Sequence, residues 1–586
     1  MRWTGRWSGR RTGWRALGVA VALGAALSAA LSAAPSLARD NLAGAYLAGR
    51  QADLRGDVDA AARYFQRALQ DDPDDRALLE AAASALVSAG RVDAAEAVAD
   101  RLAALDPGHR IVALIRAAQA FRRDDFAAAR ALFADRPDAF HPLMLKLLEG
   151  WAAYGAGDAA AARAAFDGVG ERPVLQLFGQ YHLGLMLMLA GDAPGALAAF
   201  EAAQAAVTGP TTRLSAAHGG ALEALGRTQE ATAVYEAALA ASRFGDPAMR
   251  AAIARAASGA PAPLLVNDAA QGAAEALFGL AGALVGESGG RVALIHARLA
   301  THLRPGLTPA QLLVAELMDA DGQAELALAA YAAVPGDDPL WMRAQIRRAA
   351  ALETLERGDA AVEALGALVA RAPDAAEAQV ALADLLRRRE AFAEAAEVYA
   401  RAIDIAAAAG REDWTLFYQR GIAHERAGDW DAAEADFRRA LALSPDQPLV
   451  LNYLGYSWVD MGRNLDEALE MIRKAVELRP DDGYITDSLG WAHYRLGDFG
   501  AAVEWLEKAV ALAPVDPVIN DHLGDALWRV GRRLEAAFQW KRARSFDPEP
   551  KDLARIRRKL AVGLDAVLEE EAAGAAAPGA LGRDGG

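Results

Sequence analysis

Residues 451–480 read LNYLGYSWVDMGRNLDEALEMIRKAVELRP and define a pattern that neighbouring stretches repeat. The pattern is a glycine, a second glycine seven residues later, two alanines seven residues apart and a closing proline. Residues 486–514, TDSLGWAHYRLGDFGAAVEWLEKAVALAP, repeat it 35 residues on. A period of this length is typical of helix–turn–helix repeats. The landmarks of the four copies are Gly421, Gly455, Gly490 and Gly524; Gly428, Gly462, Gly497 and Gly531; Ala433, Ala468, Ala502 and Ala536; Ala440, Ala475, Ala509 and Ala543; and Pro445, Pro480, Pro514 and Pro548.

Each landmark predicts a local structure. A glycine inside a helix costs about 1 kcal/mol relative to alanine, so we expect the first glycine to mark a close approach of two helices. The second glycine is expected to end the first helix in a left-handed conformation. The two alanines share one face of the second helix, and the proline prevents that helix from continuing.

This order of landmarks resembles the tetratricopeptide repeat (TPR), in which two antiparallel helices form each unit. Weaker copies of the pattern precede the four regular ones. The resemblance implies an all-α fold, a TPR superhelical solenoid of about fourteen helix-turn-helix repeats, as two arrays with a junction. The expected divisions are a signal peptide at 1–38, an N-terminal TPR array at 39–241, an irregular junction at 242–273, degenerate repeats at 274–413, a regular C-terminal array at 414–550, a capping helix at 551–571 and a disordered tail at 572–586.

The first 38 residues have the pattern of an export signal. Five arginines precede an apolar run from Ala16 to Ala34, and Ser36-Leu37-Ala38 offers a cleavage site with small residues. We therefore expect a periplasmic protein exported with a cleaved signal peptide, and an uncleaved inner-membrane anchor is the alternative. The pair Arg10-Arg11 leaves Sec and twin-arginine export both open.

Composition narrows the function classes. Removal of the signal arginines would change the formal net charge from −16 to −21, and so acidic a chain repels nucleic-acid phosphates. The chain has no cysteine, which excludes disulfides, thiol catalysis and the lipidated cysteine of bacterial lipoproteins. Neither a metal-binding nor a nucleophilic catalytic motif is present. We expect no enzyme, no cofactor and no metal; contact with a membrane stays open.

The candidate binding residues follow from the TPR resemblance. In that family, defined positions of the first helix of each repeat line a concave groove. The matching residues include aromatic rings beside amide, acidic and guanidinium groups, which suit an extended peptide. The candidate groove residues are Tyr418, Asn452, Tyr456, Asp487, Trp491, Tyr494, Arg495, Asp521, Asp525, Trp528 and Arg529.

Two interpretations of these residues stay open. The rings either contact a peptide or pack between adjacent first helices and against the C-terminal capping helix. Asp487 and Asp521 stand where carboxylate-binding TPR domains carry basic or amide groups, and acids there would repel a carboxylate. A neutral or basic peptide is therefore expected.

A narrower resemblance rests on residues 451–456 (LNYLGY), 487–491 (DSLGW) and 521–528 (DHLGDALW). These stretches resemble an exported proteobacterial family of multi-repeat TPR proteins. One branch is an outer-membrane lipoprotein that acts as adaptor for a periplasmic carboxyl-terminal processing protease and presents cell-wall hydrolases to it. This sequence departs from that branch in lacking the lipidated cysteine. The resulting hypothesis is a non-catalytic protein–protein scaffold of the cell envelope; the alternative is an assembly factor for a secretion, pilus or polysaccharide-export system.

Overall fold

The computed structural model describes residues 42–285 and 290–576, and this part of the chain is helical throughout, without β-strands. Two units emerge from the internal packing, and their division falls within one helix, between Leu382 and Ala383. The described part of the first unit is therefore 42–382 and that of the second is 383–576. Each is described by itself.

Twelve helices build the first six helix–turn–helix units. They are α1 (Leu42–Leu54), α2 (Val58–Asp71), α3 (Arg76–Ser88), α4 (Val92–Leu105), α5 (Arg110–Arg122), α6 (Phe126–Asp135), α7 (Pro142–Gly155), α8 (Ala159–Asp167), α9 (Pro173–Leu189), α10 (Ala193–Ala205), α11 (Thr212–Ala224) and α12 (Thr228–Ala241). A 3₁₀ turn, Pro137–Ala139, precedes α7. The single helix α13 (Pro247–Ala257) follows.

Sixteen more helices make eight further units. They are α14 (Ala269–Leu284), α15 (Gly290–Leu303), α16 (Thr308–Ala320), α17 (Ala324–Ala332), α18 (Trp341–Thr354), α19 (Gly358–Arg371), α20 (Ala376–Arg388), α21 (Phe392–Ala408), α22 (Trp414–Ala427), α23 (Trp430–Leu443), α24 (Pro448–Met461), α25 (Leu465–Leu478), α26 (Gly483–Arg495), α27 (Phe499–Leu512), α28 (Pro517–Arg529) and α29 (Arg533–Ser545). The last helices are α30 (Pro550–Val562) and α31 (Leu564–Ala576). The described chain thus contains fourteen helix–turn–helix units, and the all-α repeat fold is confirmed.

The first glycine of each regular repeat lies where the two helices of a hairpin touch. A Cβ atom on Gly421 would lie 2.7 Å from the ring of Phe437, and one on Gly524 would lie 2.4 Å from the ring of Trp540. Gly455 and Gly490 face aliphatic side chains of the second helix at 2.8 and 2.6 Å in the same way. The eight landmark alanines of the second helices are fully buried. The predicted reason for both small-residue positions is therefore confirmed.

The helix ends also follow the predicted chemistry. The second glycines have left-handed φ values, for example 88° at Gly428 and 67° at Gly462, a region that glycine enters without a steric penalty. Asp429 and Asp498 then cap α23 and α27 by accepting a hydrogen bond from the backbone N–H three residues on.

Within 42–382, the hairpin α14–α15 folds back onto the N-terminal array. Helix α14 packs against α5, α7 and α9, and α15 packs against α3 and α5. All four of these partners are first helices of their hairpins. The inner side of the N-terminal array is therefore occupied by a later part of the same unit.

The junction 242–273 contains the short helix α13, the non-helical stretch 258–268 and the first turn of α14. Two other segments differ from the expected divisions. The expected single capping helix at 551–571 is two helices, because Gly563 has φ 85° and ψ 165°. Residues 572–576 of the expected disordered tail belong to α31. The expected signal peptide and residues 577–586 lie outside the described residues.

Candidate interaction surface of the regular repeats

The candidate groove residues lie on α22, α24, α26 and α28, the first helices of their hairpins. The structure divides them into four groups. One group forms a buried aromatic and ionic cluster around Trp491, one group binds the capping helices, one group lies inside the first two repeats, and one group is open to solvent.

Trp491 is the centre of the buried cluster and is only 6% exposed. Its ring stacks on Tyr494 at a centroid distance of 4.6 Å and on His522 at 4.0 Å. His522 Nδ1 lies 3.0 Å from both carboxylate oxygens of Asp487, and both side chains are buried. The rings of this cluster therefore pack between adjacent first helices, one of the two interpretations left open by the sequence.

The pKa of His522 is set by opposing effects. Burial lowers it, but the carboxylate of Asp487, with further contributions from Asp521 and Asp525, raises it above the ordinary value of 6.5. When it is protonated, His522 neutralises Asp487 inside the array. Tyr494, on the other side of Trp491, has a pKa raised to about 12 by burial and by Asp525.

Asp521 and Asp525 bind the capping helix α30. The Nζ atom of Lys559, itself fully buried, lies 2.7 Å from a carboxylate oxygen of each. Asp525 also accepts hydrogen bonds from Trp540 Nε1 at 2.9 Å and from Arg555 at 3.3 Å. Burial raises the pKa of Asp521, and the ammonium of Lys559 opposes that rise.

Trp528 belongs to the same contact. Its indole Nε1 donates to Asp565 of α31 at 2.9 Å, and the guanidinium of Arg533 lies 3.7 Å from its ring centroid. Gly563 passes so close that a Cβ there would lie 2.5 Å from the Trp528 ring. This ring therefore packs against the capping segment.

The first repeats of the set hold their polar groups inside. Tyr418 makes an edge contact with Tyr453 at 5.9 Å, and burial raises its pKa to about 12. Tyr456 is buried, and its pKa is raised by burial and by Asp487. The Oδ1 atom of Asn452 is buried and accepts no hydrogen bond from the described residues.

Two arginines of the set are exposed. Arg495 donates to the Asp460 carboxylate at 2.9 Å and to its carbonyl at 3.0 Å, joining α26 to α24. The guanidinium of Arg529 lies 4.4 Å from the centroid of the Phe499 ring. These two occupy the same position in successive repeats, beside the partly exposed Tyr494. We name Tyr494, Arg495 and Arg529 the arginine rim.

The expected electrostatics of the groove need correction. Asp487 and Asp521 were expected to repel a peptide carboxylate, but His522 and Lys559 bind them inside the structure. Sequence reasoning missed Lys559, although a lysine between Ile556 and Leu560 on the apolar face of a helix is a signal for a buried ion pair. The exposed charge of the candidate surface comes instead from the arginine rim.

Family comparisons agree with this geometry. Models of the tetratricopeptide repeat match residues 346–412, 418–483 and 459–517, and a second such model matches 54–118. These segments match tetratricopeptide repeats, and they make up less than half of the chain. TPR repeats generally bind protein or peptide partners.

One relative is the TPR repeat-containing protein PA4667 of Pseudomonas aeruginosa. The two are 35% identical over 173 residues, which are 29% of this chain and 28% of the relative. The match thus spans well under half of that protein's length.

Solved structures that match this chain include the Cut9 and Hcn1 hetero-tetramer of the APC/C. The identity is 13%, the match covers 77% of this chain and 96% of that chain, and the TM-score is 0.35. Pseudomonas aeruginosa pilF covers 34% of this chain and 87% of its own at 18% identity, with a TM-score of 0.28. The TPR protein YrrB covers 34% of this chain and 99% of its own at 18% identity, with a TM-score of 0.26.

None of the helices in the described part of the chain combines the length and apolar character of a bilayer-spanning helix. The same part holds no group of three or more histidine, aspartate or glutamate side chains arranged as metal ligands.

Proposed function

We propose that this protein is a non-catalytic scaffold of the bacterial cell envelope that acts as an adaptor, presenting substrates to a periplasmic C-terminal-processing protease. Two observations support the proposal. The TPR repeats are of a type that binds proteins, and residues 451–456, 487–491 and 521–528 resemble the adaptor family. The export signal expected at 1–38 would deliver the chain to the required compartment.

The proposed binding site is the arginine rim, and its exposed charge is the observation on which this proposal depends. Burial of the acids leaves Arg495 and Arg529 as the exposed charges among the candidate residues; Arg495 is paired with Asp460 and Arg529 lies over the Phe499 ring. Guanidinium groups pair with carboxylates in a planar, bidentate geometry. A partner segment with acidic side chains and an apolar side chain against Tyr494 therefore fits this surface, rather than the neutral or basic peptide expected from the sequence.

The test is affinity purification from periplasm with the full-length protein as bait. We expect the wild-type chain to retain a C-terminal-processing protease together with cell-wall hydrolases. The double variant Arg495→Ala, Arg529→Ala should retain at least tenfold less of them, because partner binding energy concentrates in a few arginine and aromatic contacts. Mass spectrometry of the retained proteins measures both.

Arg473→Ala is the matched control, since Arg473 is also an exposed arginine of the C-terminal repeats but lies on a second helix. It should retain the wild-type set. Recovery of no protease and no hydrolase would refute the adaptor role. Recovery of components of a secretion, pilus or polysaccharide-export system instead would favour the assembly-factor alternative.

A further inference from the structure

The hairpin α14–α15 lies on the inner side of the N-terminal array, where TPR repeats commonly hold a ligand. In a simple repeat array, each unit packs on its immediate neighbours. Helix α14 instead contacts α5, α7 and α9, which are the first helices of the third, fourth and fifth hairpins. Residues 258–268 reach it without helical structure and include Pro261 and Pro263. The hairpin is thus docked on earlier repeats rather than stacked on the preceding one.

Shape complementarity centres on Gly272. A Cβ atom at this position would lie 2.2 Å from the indole of Trp151 in α7, so any side chain there would prevent seating. Trp151 is fully buried, and its Nε1 donates to His182 Nδ1 at 3.0 Å. Small residues surround the glycine, since Ala269, Ala273 and Ala276 are also buried. The array accepts α14 because α14 presents a small-residue face.

A single carboxylate fixes the position of α14. Glu275 is 2% exposed and accepts two hydrogen bonds of 2.5 Å from Nε and Nη2 of Arg213 in α11. The hydroxyl of Tyr181 in α9 donates to the same carboxylate at 2.9 Å. A fork of arginine donors plus a phenol is a recognition geometry for a carboxylate. It is built entirely from first helices of the array.

Further polar contacts hold α15 along the array. Arg298 Nε donates to the Ser88 carbonyl at 3.0 Å, and Arg122 Nη1 donates to the His302 carbonyl at 2.7 Å. Arg291 forms an ion pair with Asp53 of α1. The hairpin therefore spans the inner side from α1 to α11.

We propose that the inner face of α7, α9 and α11 is a binding site for a small-residue helix carrying one carboxylate, and that α14–α15 fills this site in cis. The arginine and tyrosine clamp recognises the carboxylate, and Trp151 selects glycine opposite it. The N-terminal array is thereby closed to partners until the hairpin leaves.

Hydrogen exchange on the full-length chain tests the proposal. In Gly272→Leu, the added side chain should displace the hairpin, so that amides of α14 and α15 exchange at least tenfold faster while α8, α10 and α12 keep their protection. Gly282→Leu is the matched control in the same helix, because a Cβ there meets no other atom within 4 Å. It should exchange like the wild type.

The opened site should then bind its ligand in trans. A peptide of residues 269–285 with a lysine tag for solubility should bind Gly272→Leu saturably, measured by fluorescence anisotropy. It should bind neither the wild type nor Gly282→Leu, and the Glu275→Lys peptide should bind none of the three. Failure of the unmodified peptide to bind the opened variant would overturn the proposal.

Equal loss of protection across α1 to α15 in Gly272→Leu would also overturn it, because the hairpin would then belong to the cooperative core. Glu275→Gln in the full-length chain is a milder perturbation than Gly272→Leu, because it keeps the shape of the Glu275 side chain and removes its charge. Its α14 amides should exchange faster than those of α8. Unchanged exchange, or unfolding of the whole unit by both variants, would contradict a docked cis ligand.

Discussion

Buried charges in the C-terminal repeats show how single residues hold elements together. Lys559 supplies the cation for two carboxylates on α28, and His522 supplies one for Asp487 on α26 when its imidazole is protonated. Removing one member of such a buried pair leaves an uncompensated charge away from water. The structure therefore predicts strong and pH-dependent effects of substitutions at these residues.

Lys559→Met should destabilise the second unit by on the order of 3 kcal/mol at pH 7, because Asp521 and Asp525 lose their shared cation. This loss in the free energy of unfolding should be smaller at lower pH. The pKa of Asp521 is already raised by burial, and loss of the ammonium raises it further, so the folded state takes up protons more readily than the unfolded state. Urea unfolding at pH 7 and pH 5 measures both effects. Lys541→Met, at an exposed lysine of α29, should behave like the wild type.

His522→Gln should change the pH profile of stability. The raised pKa of His522 in the folded state means that its contribution is fully present below the unfolded value of about 6.5 and is lost as the pH rises through the folded pKa. The free-energy difference between wild type and variant should therefore decrease with increasing pH above 6.5. Parallel profiles for the two proteins would show that His522 is neutral in the folded state.

At the scale of the helical hairpin, the sequence predicted the contact positions well. Glycines, alanines and prolines at fixed spacing reflect steric contacts within one hairpin. The local sequence pattern is therefore sufficient to predict these contacts. The break at Gly563 and the pairing of Lys559 with α28 were missed. Both depend on how the segment after α29 meets the preceding repeat, and no repeat pattern reports that contact.

Two glycine substitutions separate helix propensity from packing. Gly524→Ala should destabilise the second unit by about 1–3 kcal/mol, because its Cβ meets the Trp540 ring and the overpacking outweighs the gain in helix propensity. Gly500→Ala should stabilise it by about 0.5–1 kcal/mol, since the new Cβ meets only Asp498 Oδ1, at 3.9 Å. Thermal unfolding of the two variants measures the difference. Equal effects would contradict the close-approach explanation.

At the scale of the whole molecule, the number of repeats was predictable but the docking of α14–α15 was not. A repeat period in the sequence predicts only the contacts between neighbouring repeats. The contacts of the hairpin join residues far apart in sequence, such as Tyr181 and Glu275, separated by 94 positions, and Arg291 and Asp53, separated by 238. Gly272 and Glu275 look like ordinary residues of an alanine-rich helix until the folded unit brings Trp151 and Arg213 to them.

The export hypothesis makes a prediction for the full chain. Cleavage after Ala38 would give a mature protein that begins at Arg39 and carries five fewer arginines. Intact-mass measurement of the protein recovered from periplasm should show this N-terminus. A membrane fraction that retains residues 1–38 would instead establish the anchor and place the scaffold at the inner membrane.

The ion cluster of Lys559 with Asp521 and Asp525 also sets where the array stops. Repeat proteins lengthen by tandem duplication, and a copy inserted after α29 would separate α28 from its lysine. The two carboxylates would then lie inside a continuing array without a cation, as would Asp487 if the copy were inserted between α27 and α28. Lengthening of this protein, in evolution or in the laboratory, is therefore disfavoured from α26 onward.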